Sequence, residues 1–157
     1  MMSLNMVQTI VSARCDSLQL SIEHAHRLST MSGYVGSEAI FWTIGLNIKT
    51  GGEIKSRDWL GMAAQNCSVS YMRVLDSTIL VDILTSGNLP DNFVSHMMHL
   101  LDETPVQIVI LAAEQAARQT GIPLRQIWTN LWRFSSDLGA HRRHVWNPLS
   151  VLATKGK

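Results

Sequence analysis

One stretch limits the fold more than any other. From Pro105 to Gln119 the chain is apolar on nearly every side of a helical projection until Glu114. A helix without a polar face belongs in the middle of a core, covered by other elements. Its start is marked by Thr104-Pro105-Val106-Gln107, which reads as a capping box with proline at the first helical position. Thr120-Gly121 marks its end.

The remaining elements must wrap this helix. Leu4, Val7, Val11, Leu18, Ile22 and Ala25 recur at helical spacing and predict a long first helix over about 4–29. Residues 31–36 break it, and Ser37 suits the cap of the next segment. That segment, 39–48, holds Ile, Phe, Trp and Thr and would also suit a strand. Thr50-Gly51-Gly52 ends it as a helix stop or a hairpin turn. Ser56 is the expected cap of a short helix to Asn66. Residues 69–84 are rich in β-branched side chains, yet Met72, Leu75, Ile79 and Ile83 form a helical stripe. Pro90 opens a helix to Asp102, Pro123 opens another to Phe134, and Ser135 or Ser136 caps a last one through Trp146. The expectation is one all-α domain of about seven helices over 1–148, followed by a flexible tail over 149–157. If 39–48 and 69–84 are both strands, the class becomes α+β.

At 157 residues the chain is long enough to bury a sizeable core. Residues 1–117 hold 6 Lys/Arg against 11 Asp/Glu, whereas 118–157 hold 7 against Asp137 alone. The near-neutral total thus hides an acidic body and basic C-terminal helices over 118–146. A one-sided basic surface usually faces an anion. Cys15 and Cys67 lie far apart and read as buried thiols of a reducing compartment. Met1 to Met6 form no basic leader or continuous apolar segment, and no run is long enough to span a bilayer. A cytoplasmic chain without a membrane partner is expected.

The junction at Gly121 passes part of a helix-turn-helix test. Ala117, Gly121, Ile122 and Ile127 fall where a close helix crossing and a positive-φ turn need them. Arg125, Gln126, Thr129 and Arg133 would then offer polar groups to DNA. Three departures oppose this reading. Asn130 stands where an apolar contact belongs, Pro123 occupies an early recognition position, and Trp128 and Trp132 fall on the face that should meet DNA. Tryptophans four apart suit a protein-docking ridge or core anchors. Farther on, Arg142 and Arg143 between His141 and His144 would contact phosphates, with Trp146 stacking on a base. The same arginines would also suit a helix C-terminus.

All six histidines come in close pairs: His24/His26, His96/His99 and His141/His144. The last two pairs are spaced i, i+3, and Glu103 follows His99 by four. His96, His99 and Glu103 are therefore weak metal candidates, weak because Met97 and Met98 between the histidines supply no ligand oxygen or base. No phosphate loop, dinucleotide fingerprint or Gly-x-Ser-x-Gly elbow is present. No cofactor is expected.

The leading expectation is a non-enzymatic regulatory or accessory protein. It would bind DNA or RNA, or a nucleoprotein complex, through Arg118, Arg125, Arg133, Arg142 and Arg143, with dimerisation through the first helix. The first alternative is a protein-interaction or homo-oligomerisation module anchored by Trp128 and Trp132. The second is a small metal-dependent enzyme built on the histidine pairs.

Overall fold

The computed structural model describes residues 3–68 and 73–148. The expected tail over 149–157 and the start of the 69–84 segment lie outside the described residues. Nine α-helices are present among them, where about seven were expected, with no strand. They are α1 (Leu4–Ser17), α2 (Ile22–Ser29), α3 (Gly36–Thr43), α4 (Trp59–Asn66), α5 (Ser77–Ser86), α6 (Val94–Asp102), α7 (Val106–Thr120), α8 (Leu124–Asp137) and α9 (Arg143–Trp146). The all-α class holds, and the α+β alternative fails in both ambiguous segments. Residues 36–43 are helical, and the only pairing nearby is a single antiparallel bridge from Leu46 to Glu53.

α7 takes the central place that its apolar sequence demands. It packs against α3, α4, α5 and α8. One continuous cluster of buried apolar side chains draws on every helix from α1 to α9. The helix begins where expected, but the capping box does not form. The Thr104 hydroxyl donates instead to Asn66 Oδ1 at 3.0 Å, and the Gln107 amide donates to the Trp42 carbonyl at 2.7 Å. Both side chains tie α7 to neighbouring elements rather than to its own first turn.

The predicted first helix is two. Leu18 ends α1, Gln19 turns with φ 53°, and the Ser21 hydroxyl caps α2 by accepting the His24 N–H at 3.0 Å. Leu18 and Leu20 are both buried, so the apolar stripe runs through the turn and conceals it in the sequence. The caps of α4 and α5 are Asp58 and Asp76, placing the start of α4 after Arg57 rather than at it. The last helix is also shorter than expected. α8 continues through Ser135 and Ser136 to Asp137, Gly139 turns with φ 65°, and among the described residues beyond it only 143–146 are helical.

The unforeseen element of the core is ionic. Arg14 of α1 and Glu114 of α7 are both buried and meet in a two-pronged pair, Nη1 to Oε2 at 2.7 Å and Nη2 to Oε1 at 2.9 Å. Arg14 Nε also donates to the Ile44 carbonyl at the end of α3, at 2.8 Å. Its Nη1 reaches Glu53 Oε1 at 3.3 Å. The α3 end turns away here through Gly45, whose φ is 78°.

Gly45 cannot carry a side chain in this packing. A Cβ there would lie 2.6 Å from Leu111 Cδ2, on a backbone that L residues rarely adopt. Gly45→Ala should therefore cost about 3 kcal/mol in urea unfolding, combining left-handed strain with overpacking. Gly33→Ala is the control, because Gly33 has φ 83° but nothing within 4 Å. It should cost about 1 kcal/mol, the strain alone.

Candidate functional site

The arginines expected to bind nucleic acid are held in several different ways. Arg133 Nη2 donates to the Gly87 carbonyl at 2.7 Å, beyond the end of α5. Arg142 Nε donates to the Leu101 carbonyl at 2.8 Å and its Nη2 to the Thr104 carbonyl at 2.9 Å, at the end of α6. Burial lowers the Arg142 pKa, and Asp102 and Glu103 nearby act in the opposite direction. Arg143 Nη1 donates to the Ala140 carbonyl at 3.0 Å. Arg118 is exposed and stands 3.9 Å from Glu114. The Arg125 side chain is exposed on α8. Arg118, Arg133 and Arg142 lie at the C-terminal ends of α7, α5 and α6, where carbonyl dipoles concentrate negative charge, whereas Arg125 stands in the first turn of α8.

The tryptophans require a correction. Trp128 is buried and its indole N–H donates to the Leu18 carbonyl at 2.9 Å. Trp146 is buried and donates to the Leu101 carbonyl at 2.9 Å. Neither stands on a surface: Trp146 is not placed to stack on a base, and Trp128 and Trp132 form no exposed ridge. Of these three, only Trp132 is half-exposed. The exposed side of α8 instead carries Arg125, Gln126, Thr129 and Arg133. Asn130 is buried and serves α5, its Nδ2 donating to the Leu84 carbonyl at 2.8 Å. A polar residue thus fills the apolar position of the helix-turn-helix pattern because a helix end needs a donor there.

The histidine pairs do not assemble a centre. His96 is buried, with Nε2 bonded to the Arg73 carbonyl, while His99 is half-buried and Glu103 is exposed at the end of α6. His141 precedes α9 and does not share a helix with His144. Among the described residues no three His, Cys, Asp or Glu side chains converge as metal ligands. Cys15 and Cys67 are buried, and burial raises each thiol pKa to about 11, so neither is a thiolate near neutrality.

The surface feature that stands out lies at the other end of the chain. α1, α2 and α3 enclose a groove of about 490 Å³, with Leu4, Val7, Val11, Ile22 and Ile40 as its apolar wall. Gln8, Ser12, His26 and Ser37 supply its few polar groups. Leu4 is 71% exposed, Met6 53% and Val35 80%. Met31, Tyr34 and Ile22 are exposed as well, and among the described residues only Val74 of the exposed large apolar side chains lies outside residues 4–35. Concentrated apolar exposure of this kind marks an interaction surface. The sequence held the signal, since Leu4, Val7, Val11 and Ile22 belong to the apolar stripe. Dividing the helix at Leu18 leaves part of that stripe uncovered.

No known protein family, characterised protein or solved structure matches this chain. Among the described residues no helix is long and apolar enough to cross a membrane.

His24 gives a measurable consequence of this packing. It is buried, its Nε2 donates to the Val145 carbonyl at 2.7 Å, and burial holds its pKa down to about 4 against 6.5 for an ordinary histidine. Below pH 6.5 the unfolded chain takes up a proton that the folded chain refuses. Stability is therefore complete above about pH 6.5 and falls as pH drops toward 4, by roughly 3 kcal/mol from this residue. Urea unfolding across that range should show the loss in the native chain. The slope should flatten in His24→Gln; an unchanged slope would remove His24 as its source.

Proposed function

We propose that this chain is a non-enzymatic interaction module that self-associates through the α1–α2–α3 groove. The observation that carries this reading is the coincidence of groove and exposed apolar side chains on the same elements. α1 lines the groove with Leu4, Val7 and Val11 while Leu4 and Met6 remain exposed. One copy can therefore supply both the protruding residues and the recess, which a two-fold interface requires. The interaction reading made from Trp128 and Trp132 is thereby moved to the opposite end of the chain, because Trp128 is committed to the core.

A second reading retains one favourable observation. The polar exposed side of α8, with Arg125, Gln126, Thr129 and Arg133, lies next to the Gly121 turn and would suit nucleic acid. It ranks second because Arg133, Arg142 and Arg143 also hold backbone carbonyls.

Sedimentation velocity tests the first reading. The chain should run as a dimer at about 50 μM, the affinity class of a modest interface. Leu4→Asp/Ile22→Asp should run as a folded monomer with an unchanged circular dichroism spectrum. A native chain that stays monomeric at that concentration overturns the self-association reading. Salt-sensitive binding of a mixed-sequence duplex by such a monomer, lost in Arg125→Ala/Arg133→Ala, would support the second reading in its place.

A further inference from the structure

A different recess carries a more specific chemistry. A pocket of about 340 Å³ lies where α3, the 54–57 segment, α4 and the start of α7 meet. Two indoles line it, those of Trp42 and Trp59, with Met62 and Ile108 completing the apolar wall. Trp42 is half-buried, and its ring packs against Tyr34 with centroids 5.3 Å apart and planes tilted by 43°. Its carbonyl accepts the Gln107 amide, which fixes this end of α3 against α7. Trp59 is buried as the first residue of α4.

The rim is cationic. Lys55 and Arg57 line the pocket and are exposed, and the Arg57 guanidinium carbon lies 6.0 Å from the centre of a Trp59 ring. Lys49, Lys55 and Arg57 are half of the 6 basic residues in the otherwise acidic stretch 1–117. The neighbouring acids are engaged elsewhere. Asp58 accepts the Gly61 N–H and the Gln115 amide, both at 3.1 Å, and these bonds hold its carboxyl below the ordinary range. Glu53 pairs with Arg14 at 3.3 Å.

We propose that this pocket binds a small planar aromatic molecule bearing one carboxylate or phosphate. Its volume is at the small end of organic-ligand sites, enough for a fused ring pair rather than a peptide helix. Indole walls favour a flat ring, which gains from stacking as well as from burial. Lys55 and Arg57 at the mouth would meet the anionic substituent, and Arg57 is the better match because its planar fork fits either anion.

The probes are 1-naphthoate, 1-naphthyl phosphate and the neutral 1-naphthamide, titrated into the full ¹⁵N-labelled chain. The five indole N–H signals are assigned by single Trp→Phe substitutions. Saturable shifts are expected at Trp42 and Trp59, with Trp128 and Trp146 unmoved. The two anions should bind below about 1 mM, and the amide about tenfold more weakly. Lys55→Ala/Arg57→Ala should weaken both anions by about tenfold, with unmoved Trp128 and Trp146 signals proving the fold intact. The tighter anion shows which substituent the Lys55 and Arg57 rim prefers. No saturable shift, equal affinity for the amide, or unaltered affinity in the double variant would each overturn the proposal.

Discussion

A single guanidinium organises this molecule. Arg14 grips Glu114 on α7 with two charge-assisted bonds, the end of α3 through the Ile44 carbonyl, and the 46–53 turn through Glu53. Taking such charges out of water is costly, and only near-ideal geometry with every donor occupied offsets the loss. The two-pronged bond supplies that geometry. Both candidate surfaces inherit their shape from it. The groove has α1 and α3 as walls, and the indole pocket joins Trp42 of α3 to Ile108 of α7. Shifting α3 against α7 would deform both.

The strong charge asymmetry of the sequence acquires an internal meaning. Arg133 bonds the Gly87 carbonyl beyond α5, and Arg142 bonds the Leu101 and Thr104 carbonyls around the end of α6. Asp102 in turn accepts the backbone N–H groups of His141 and Arg142. Two arginines of the basic C-terminal quarter therefore stabilise helix ends of the acidic body, by ordinary helix-terminus electrostatics. Arg118 and Arg125 remain directed to solvent.

The parts legible in the sequence were those governed by local rules. The apolar run and the Pro105 and Gly121 punctuation located α7 and its central burial. Trp146 was misread, and the role of Asn130 went unexplained, for one shared reason. Each satisfies a carbonyl of a distant helix, Leu84 and Leu101 respectively, and no local pattern reveals a partner about 45 residues away. The Arg14–Glu114 pair, separated by 100 positions, was hidden in the same way, and Glu114 marked only the end of the apolar run. Thr104 and Gln107 show the complementary error, where a sound local motif lost its side chains to tertiary partners. The indole pocket had a faint local trace, the basic group at 49–57 beside Trp59, but Trp42 joins it only in three dimensions.

The organising role of the buried pair is tested most directly by a double-mutant cycle on Arg14→Met and Glu114→Leu, followed by urea unfolding at pH 7. Each single change leaves a buried charge with only its weaker partner, Glu53 for Arg14 and Arg118 for Glu114, and should cost about 3 kcal/mol. The double change should cost less than the two together by about 2 kcal/mol, because both charges leave at once. Two single losses that simply add, or that stay within about 0.5 kcal/mol of the native chain, would show that the pair is a bystander and that the groove and the pocket are held in place by packing alone.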